Sequence, residues 1–315
     1  MKKLSSGLLT LLFVLPAGQT VLAQTSGATC TDWQWESETR LPGSINEASG
    51  MAKSRDHNRL FHVNDSGNSA SVFITGLSGE SLGQFELKAK ENNDYEAIAV
   101  GPCQDSSKSC IFVGDIGDNA YHRDSIQIHV IGEKDQFEKD EDVLNSLNLV
   151  YPDGAHNAEA MGITPTGDLV ILSKESKFFF WQSPGKAKVY RFSRQQLFTS
   201  ASGKLDLSGE IDIPGFLPAA SDDGLLVTDL AFHPNGKQLA ILTYEFILLL
   251  NWHEGADYSN AAGLKKDKDY WVIPIKKLKQ AESITFISPS ELLVSSEGKS
   301  PKLHKYSCVN QLETR

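Results

Sequence analysis

Glu159-Ala-Met-Gly-Ile, a Thr164-Pro-Thr-Gly-Asp turn, and Leu169-Val-Ile-Leu-Ser-Lys make up one copy of a pattern that occurs five times in this chain. In each copy an acidic residue opens a short apolar run, a turn follows, and a second apolar run ends in polar residues. The first copy pairs Glu47-Ala-Ser-Gly-Met-Ala with Leu60-Phe-His-Val-Asn-Asp-Ser-Gly, and the second pairs Glu96-Ala-Ile-Ala-Val with Ile111-Phe-Val-Gly-Asp. The fourth pairs Asp229-Leu-Ala-Phe with Leu239-Ala-Ile-Leu-Thr-Tyr, and the fifth Glu282-Ser-Ile-Thr-Phe with Leu292-Leu-Val-Ser-Ser-Glu. Short strands repeating every ~50–70 residues predict an all-β fold, a β-propeller of four-stranded blades around a channel.

Working outward, the innermost strands are expected at 48–52, 97–101, 160–164, 230–233 and 283–287, which counts five blades. A sixth stays open around 213–226, and 134–146 and 253–268 read as polar insertions. The turns at Thr164-Pro-Thr-Gly-Asp and His233-Pro-Asn-Gly-Lys fall at equivalent places and support the register. The last blade lacks an outer strand unless 33–41 pairs beside 303–307, so the ring is expected to close on its own N-terminal strand.

Residues 1–23 read as a signal peptide: Lys2 and Lys3, an apolar centre at 8–14, and Val21-Leu22-Ala23 before Gln24. This leaves 24–315 as one propeller domain, exported to the periplasm or secreted. No later apolar stretch is long enough to predict a membrane span. Four cysteines in an exported chain imply two disulfides, with three pairings open. Cys103 and Cys110 flank a turn-like stretch and are placed to clip a hairpin. Cys30 and Cys308 lie at the two ends of the domain, where a bridge would staple the ring for about 4–5 kcal/mol in the loop-entropy model.

The formal charge is −10, or −12 without the two N-terminal lysines. That balance argues against nucleic acid as a partner, because phosphate binding needs clustered Lys and Arg. It suits cations. In this register Glu47, Glu96, Glu159, Asp229 and Glu282 ring one mouth of the channel. Five like charges within ~10 Å must raise one another's pKa, recruit a cation, or accept backbone hydrogen bonds from neighbouring blades. Oxygen-rich rings suit hard cations, calcium above all.

The loops Asn64-Asp65-Ser66-Gly67-Asn68 and Gly114-Asp-Ile-Gly-Asp-Asn119 place more carboxylate and amide oxygens at corresponding sites. The expected metal set is therefore Glu96, Asp115, Asp118, Glu159 and Glu282. Glu47, Asp65, Asn119, Lys174, Asp229 and Tyr244 are expected around the ligand, with Glu297 at the same mouth. His156 and Glu159 are the catalytic candidates. Arg123 could contact an anionic ligand or pair with Asp118, and the run Phe178-Phe-Phe-Trp181 could bind a sugar or partner or fold over blade edges. No phosphate loop, nucleophile elbow or Cys/His zinc spacing is present.

His62-Val-Asn-Asp-Ser-Gly, Asp94-Tyr-Glu-Ala-Ile-Ala, Gly114-Asp-Ile-Gly-Asp-Asn and Tyr151-Pro-Asp-Gly-Ala-His-Asn-Ala-Glu-Ala resemble stretches of a group of exported bacterial propeller proteins. Leu242-Thr-Tyr and Gln280-Ala-Glu-Ser-Ile fit the same pattern. The resemblance spans nearly the whole domain and implies a propeller with a polar axial site. More distantly, an acid before an inner strand is similar to calcium-dependent propeller phytases and lactonases. Phytases surround phosphate with several Lys and Arg, of which this chain has few near its acidic motifs. Three functions are therefore in view: a binder of a divalent cation and a small polar ligand, a metal-dependent hydrolase of an ester, lactone or phosphate, and an envelope-protein scaffold.

Overall fold

The computed structural model describes residues 30–175, 184–276 and 278–311. The expected signal segment 1–23 and the aromatic run Phe178–Trp181 lie outside them. Strand β1 spans Cys30–Arg40. Blade one follows as β2 (Ala48–Lys53), β3 (Arg59–Asn64), β4 (Ser71–Gly76) and β5 (Ser81–Leu87). Blade two contains β6 (Tyr95–Pro102), β7 (Ser109–Asp115), β8 (Ile126–Gly132) and, after the two-residue β9 (Asp140–Glu141), β10 (Asn145–Val150). Blade three contains β11 (Ala158–Ile163), β12 (Leu169–Ser173), β13 (Ala187–Phe192) and, after β14 (Ser202–Lys204), β15 (Asp206–Ile211). Blade four is β16 (Val227–Phe232), β17 (Gln238–Thr243), β18 (Phe246–Asn251) and β19 (Tyr270–Pro274). Blade five is β20 (Ala281–Ser288), β21 (Glu291–Ser296) and β22 (Lys302–Gln311), completed by β1.

The five blades form a ring in which β2, β6, β11, β16 and β20 stand next to one another around the axis. The second strands β3, β7, β12 and β17 are buried along their whole length. Burial on both faces is why they read as unbroken apolar runs rather than alternating ones. Neighbouring blades share cores: Phe112, Met161 and Tyr190 pack together between blades two and three. The inner strands approach so closely that small residues are needed. A Cβ on Gly50 would sit 2.7 Å from the Ile98 backbone nitrogen, and one on Gly162 would sit 2.3 Å from Leu230 Cδ1.

Closure occurs through β1, which pairs antiparallel with β22 from Trp33 opposite Cys308 to Arg40 opposite Lys302. The Cys30–Cys308 disulfide lies at this seam, and Cys103–Cys110 clips the β6–β7 hairpin. Two disulfides suit an oxidising, exported location. No helix among the described residues is long and apolar enough to cross a membrane.

One expectation needs correction. The region 213–226 is no sixth blade: it forms a one-turn helix at Ile213–Phe216 and a 3₁₀ turn at Asp223–Leu225. The outer edge of blade three is split, with β14 adding parallel to β10 of blade two and β15 alone completing blade three. Within the insertion 134–146, β9 adds in the same way to β5 of blade one.

Candidate axial site

Every innermost strand carries a β-bulge at the same place. The ladder to the second strand skips one residue in each blade: Ser49, Glu96, Glu159, Thr228 and Glu282. A bulge leaves its extra residue unpaired and re-aims its side chain. The equivalent set is therefore three carboxylates and two hydroxyls, not five carboxylates. Glu47 precedes its bulge by two residues, and Asp229 follows its own by one.

Ser49, Glu96, Glu159 and Glu282 line an axial cavity of about 220 Å³. Thr228 instead donates its hydroxyl to the Ala281 carbonyl of the next blade at 2.7 Å. Asp229 is 1% exposed and accepts from the Leu230 and Ile284 backbone N–H groups, both at 2.7 Å. It ties blade four to blade five as a strut, which removes it from the ligand set. Glu47 is outside the cavity lining and accepts from Asn68.

A second tier comes from the residues directly after the second strands. Asp65, Lys174, Tyr244 and Glu297 hold that position in blades one, three, four and five, while Asn119 reaches the cavity from the longer loop of blade two. Lys174 is the one cation lining the cavity among the described residues. Its ammonium donates to Glu159 at 2.5 Å and to the Tyr244 hydroxyl at 2.9 Å, and lies 4.9 Å from the Tyr244 ring centre. Tyr244 in turn bonds Glu282. Gln280 enters β20 in a left-handed conformation, φ 48°, and donates to Glu297 at 2.6 Å.

The remaining wall carries acids with no cation among its described lining residues. Oxygens of Asp65, Asp94 and Glu96 all lie within 4.8 Å of one another, and Ser49 donates to Glu96 at 2.5 Å. Burial, reinforced by a hydrogen bond and repulsion from Asp65, pushes Asp94 up to about 7. Burial, with repulsion from Glu159 and Asp65, raises Glu96 well above the carboxylate range. Glu282 is raised likewise by burial and by Glu159. Burial raises Glu159 too, against the opposing pull of Lys174. Burial disfavours the Lys174 ammonium, but Glu159 and its other partners outweigh that and hold it protonated.

Asp115 and Asp118, expected as metal ligands, stand behind this wall and position it. Asp115 is fully buried, accepts from the Asn93 and Asp94 backbone N–H groups at 3.2 Å, and pairs with Arg123 at 2.8 Å. Asp118 accepts from the backbone N–H groups of His122 and Arg123, at 3.1 and 2.8 Å. Asn157 receives the Asp118 N–H at 2.8 Å and donates to Asn119 at 3.0 Å. Gly117 completes the device: a Cβ there would fall 2.3 Å from Asp94 Oδ2 and 2.9 Å from Glu96 Cγ. The Gly-Asp-Ile-Gly-Asp-Asn stretch thus shapes the acidic wall and offers only Asn119 to the cavity.

His156 does not join Glu159 in the cavity. It lies between Asp153 at 3.3 Å and Glu175 at 3.5 Å, against Lys188, Tyr151 and Tyr190. Asp94, outside the expected metal set, joins Asp65 and Glu96 in the acidic cluster. Its signal was positional, since Glu47, Asp94, Asn157 and Gln280 each stand immediately before the residue that precedes the bulge.

No protein-family model matches the sequence, and no curated protein does. Among solved structures, the chain is similar to the major allergen Mala s 1 of Malassezia sympodialis, with a TM-score of 0.53 and 8% identity over 88% of this chain and 97% of the other. It is also similar to a PQQ-bound aldose sugar dehydrogenase from Streptomyces coelicolor, with a TM-score of 0.50 and 10% identity over 89% and 99%. At such identities the likeness concerns architecture alone, and the architecture is a β-propeller.

Proposed function

We propose that the axial cavity binds a divalent cation, calcium by its donor chemistry, together with a small polar ligand. The observation that carries this reading is the convergence of Asp65, Asp94 and Glu96 oxygens within 4.8 Å, backed by a glycine where any side chain would displace them. Hard carboxylate oxygens of this kind fit calcium, and Asn119 in the same cavity offers a further oxygen. The cation would neutralise the wall and act as a Lewis acid toward a ligand oxygen. Ser49 orients Glu96, Asp115 holds the 93–94 backbone, and Lys174 with Tyr244 keeps Glu159 and Glu282 paired on the opposite wall. The binding reading is preferred over hydrolysis because, of the two candidate bases, His156 is committed outside the cavity and Glu159 is paired with Lys174 inside it.

The test is metal analysis of the purified protein, with thermal unfolding in chelator and in excess calcium. A site filled a hundredfold above its dissociation constant adds about 2.7 kcal/mol. Glu96→Gln with Asp94→Asn is expected to abolish the calcium shift while leaving the chelator midpoint equal or higher. No calcium-dependent midpoint in the parent protein, or an unchanged one in the variant, would falsify the reading.

A further inference from the structure

The other end of the channel is chemically unlike the first. The five inner strands run the same way, so their C-terminal ends meet at the far mouth around a cavity of about 500 Å³. Ligand pockets commonly span about 300–1,000 Å³. Its wall includes Met51, Met161, Leu230, Ile284, Phe232 and Phe286, and no acidic side chain lines it among the described residues.

The repeat shows where charge has been introduced. Four residues beyond the bulge, blades two to five carry Val100, Ile163, Phe232 and Phe286, whereas blade one carries Lys53. Six residues beyond it, blades two, three and four carry Pro102, Pro165 and Pro234, and blade five brings Pro289 to the rim one residue later. Blade one carries Arg55. Both cations of this mouth thus come from one blade and stand side by side. The Lys53 ammonium donates to the Ser54 and His57 carbonyls, at 2.6 and 3.2 Å, and Arg55 is exposed with no ion pair among the described residues. Two acids act on Lys53 from nearby, Glu133 and the exposed Asp56, and Glu133 is engaged by Arg59 at 3.3 Å and by Ser54.

We propose that this far cavity is a second binding site, for a small amphipathic anion whose apolar body enters the channel and whose carboxylate or sulfonate meets Arg55 and Lys53. The apolar wall supplies burial for the body, and an unpaired guanidinium at the rim is suited to planar two-oxygen anions. The assignment is independent of the cation site at the opposite mouth.

The probe is sodium octanoate, with 1-octanol as the uncharged control, titrated into the full chain by calorimetry. Methyl-labelled methionine adds a local readout, because two of the three methionines, Met51 and Met161, line this cavity. The expected result is that octanoate shifts both methyl resonances and binds at least tenfold more tightly than octanol. Arg55→Gln is expected to remove that preference while leaving octanol binding unchanged, and Lys53→Met to weaken octanoate alone. Failure of octanoate to shift either methyl, equal affinity for acid and alcohol, or an unchanged preference in Arg55→Gln would each overturn the proposal.

Discussion

At one mouth of the channel Glu96, Glu159 and Glu282 stand with Asp65 and Glu297, and Lys174 is the only cation in the lining among the described residues. At the other, the same five strands lead into a wall of methionine, phenylalanine and proline, with Lys53 and Arg55 as the only fixed charges among the described residues. The strands are continuous, so the contrast does not come from different folding units. It comes from the bulge near the start of each strand, which in four of the five blades turns a polar residue to the axis, and from the pairing just beyond it, which returns mostly apolar residues there. A one-residue irregularity repeated fivefold gives one channel two chemistries.

The largest expected effect comes from unbalancing the acidic mouth. Lys174→Met strips the cation from a buried pair and should cost about 3–5 kcal/mol in chelator. The double variant Glu159→Gln/Lys174→Met should recover most of this loss in a denaturant titration. Little loss in the single variant would mean that Glu159 simply protonates and the pair does not organise the mouth. Next comes the strut: Asp229→Ala orphans two buried N–H groups and should cost about 2–4 kcal/mol without altering calcium affinity. A loss of calcium binding there would return Asp229 to the site.

Gly117→Ala should be milder, costing about 1–3 kcal/mol through overpacking against Asp94 and Glu96. It should weaken calcium binding, read by calorimetry, and leave octanoate binding at the far mouth intact.

Acidity offers a smaller, continuous lever. The folded-state pKa of Asp94 is raised to about 7, so between its unfolded value and 7 the folded protein holds a proton that the unfolded chain releases. Stability in chelator should therefore fall as pH rises from about 4 to about 7, and the raised Glu96 and Glu282 act in the same direction. Excess calcium, which requires the ionised wall, should offset the fall. A flat or rising midpoint in chelator would contradict the crowding inferred at this mouth. The smallest effect is expected from Arg55→Gln, an exposed change that should move stability by no more than about 0.5 kcal/mol.

Much of this architecture was legible in the residues. Five apolar strand pairs, the turns at Thr164-Pro165 and His233-Pro234, and cysteines at both ends of the domain announced the ring and its closure. These features are local, or depend on which segments exist. The site was legible only in part. Glu96, Glu159, Glu282, Asp65, Asn119, Lys174 and Tyr244 line the cavity, but Asp115 and Asp118 turned out to brace it, Asp94 was missed, and His156 is elsewhere. Carboxylates at equivalent spacing look alike in a sequence, whether they face an axis or a backbone amide.

By itself, then, the sequence determined the fold class, the five repeats and the seam, because hydrophobic period, turn chemistry and cysteine placement act over short stretches or at chain ends; that 213–226 adds no sixth blade was decided by the structure. Only the tertiary structure decided which acids meet. In a strand each residue faces opposite to its neighbour, so an offset of one position sent Asp229 into a blade interface while Glu282 faced the cavity. That offset is set by pairing between strands, and pairing exists only once the blades have formed.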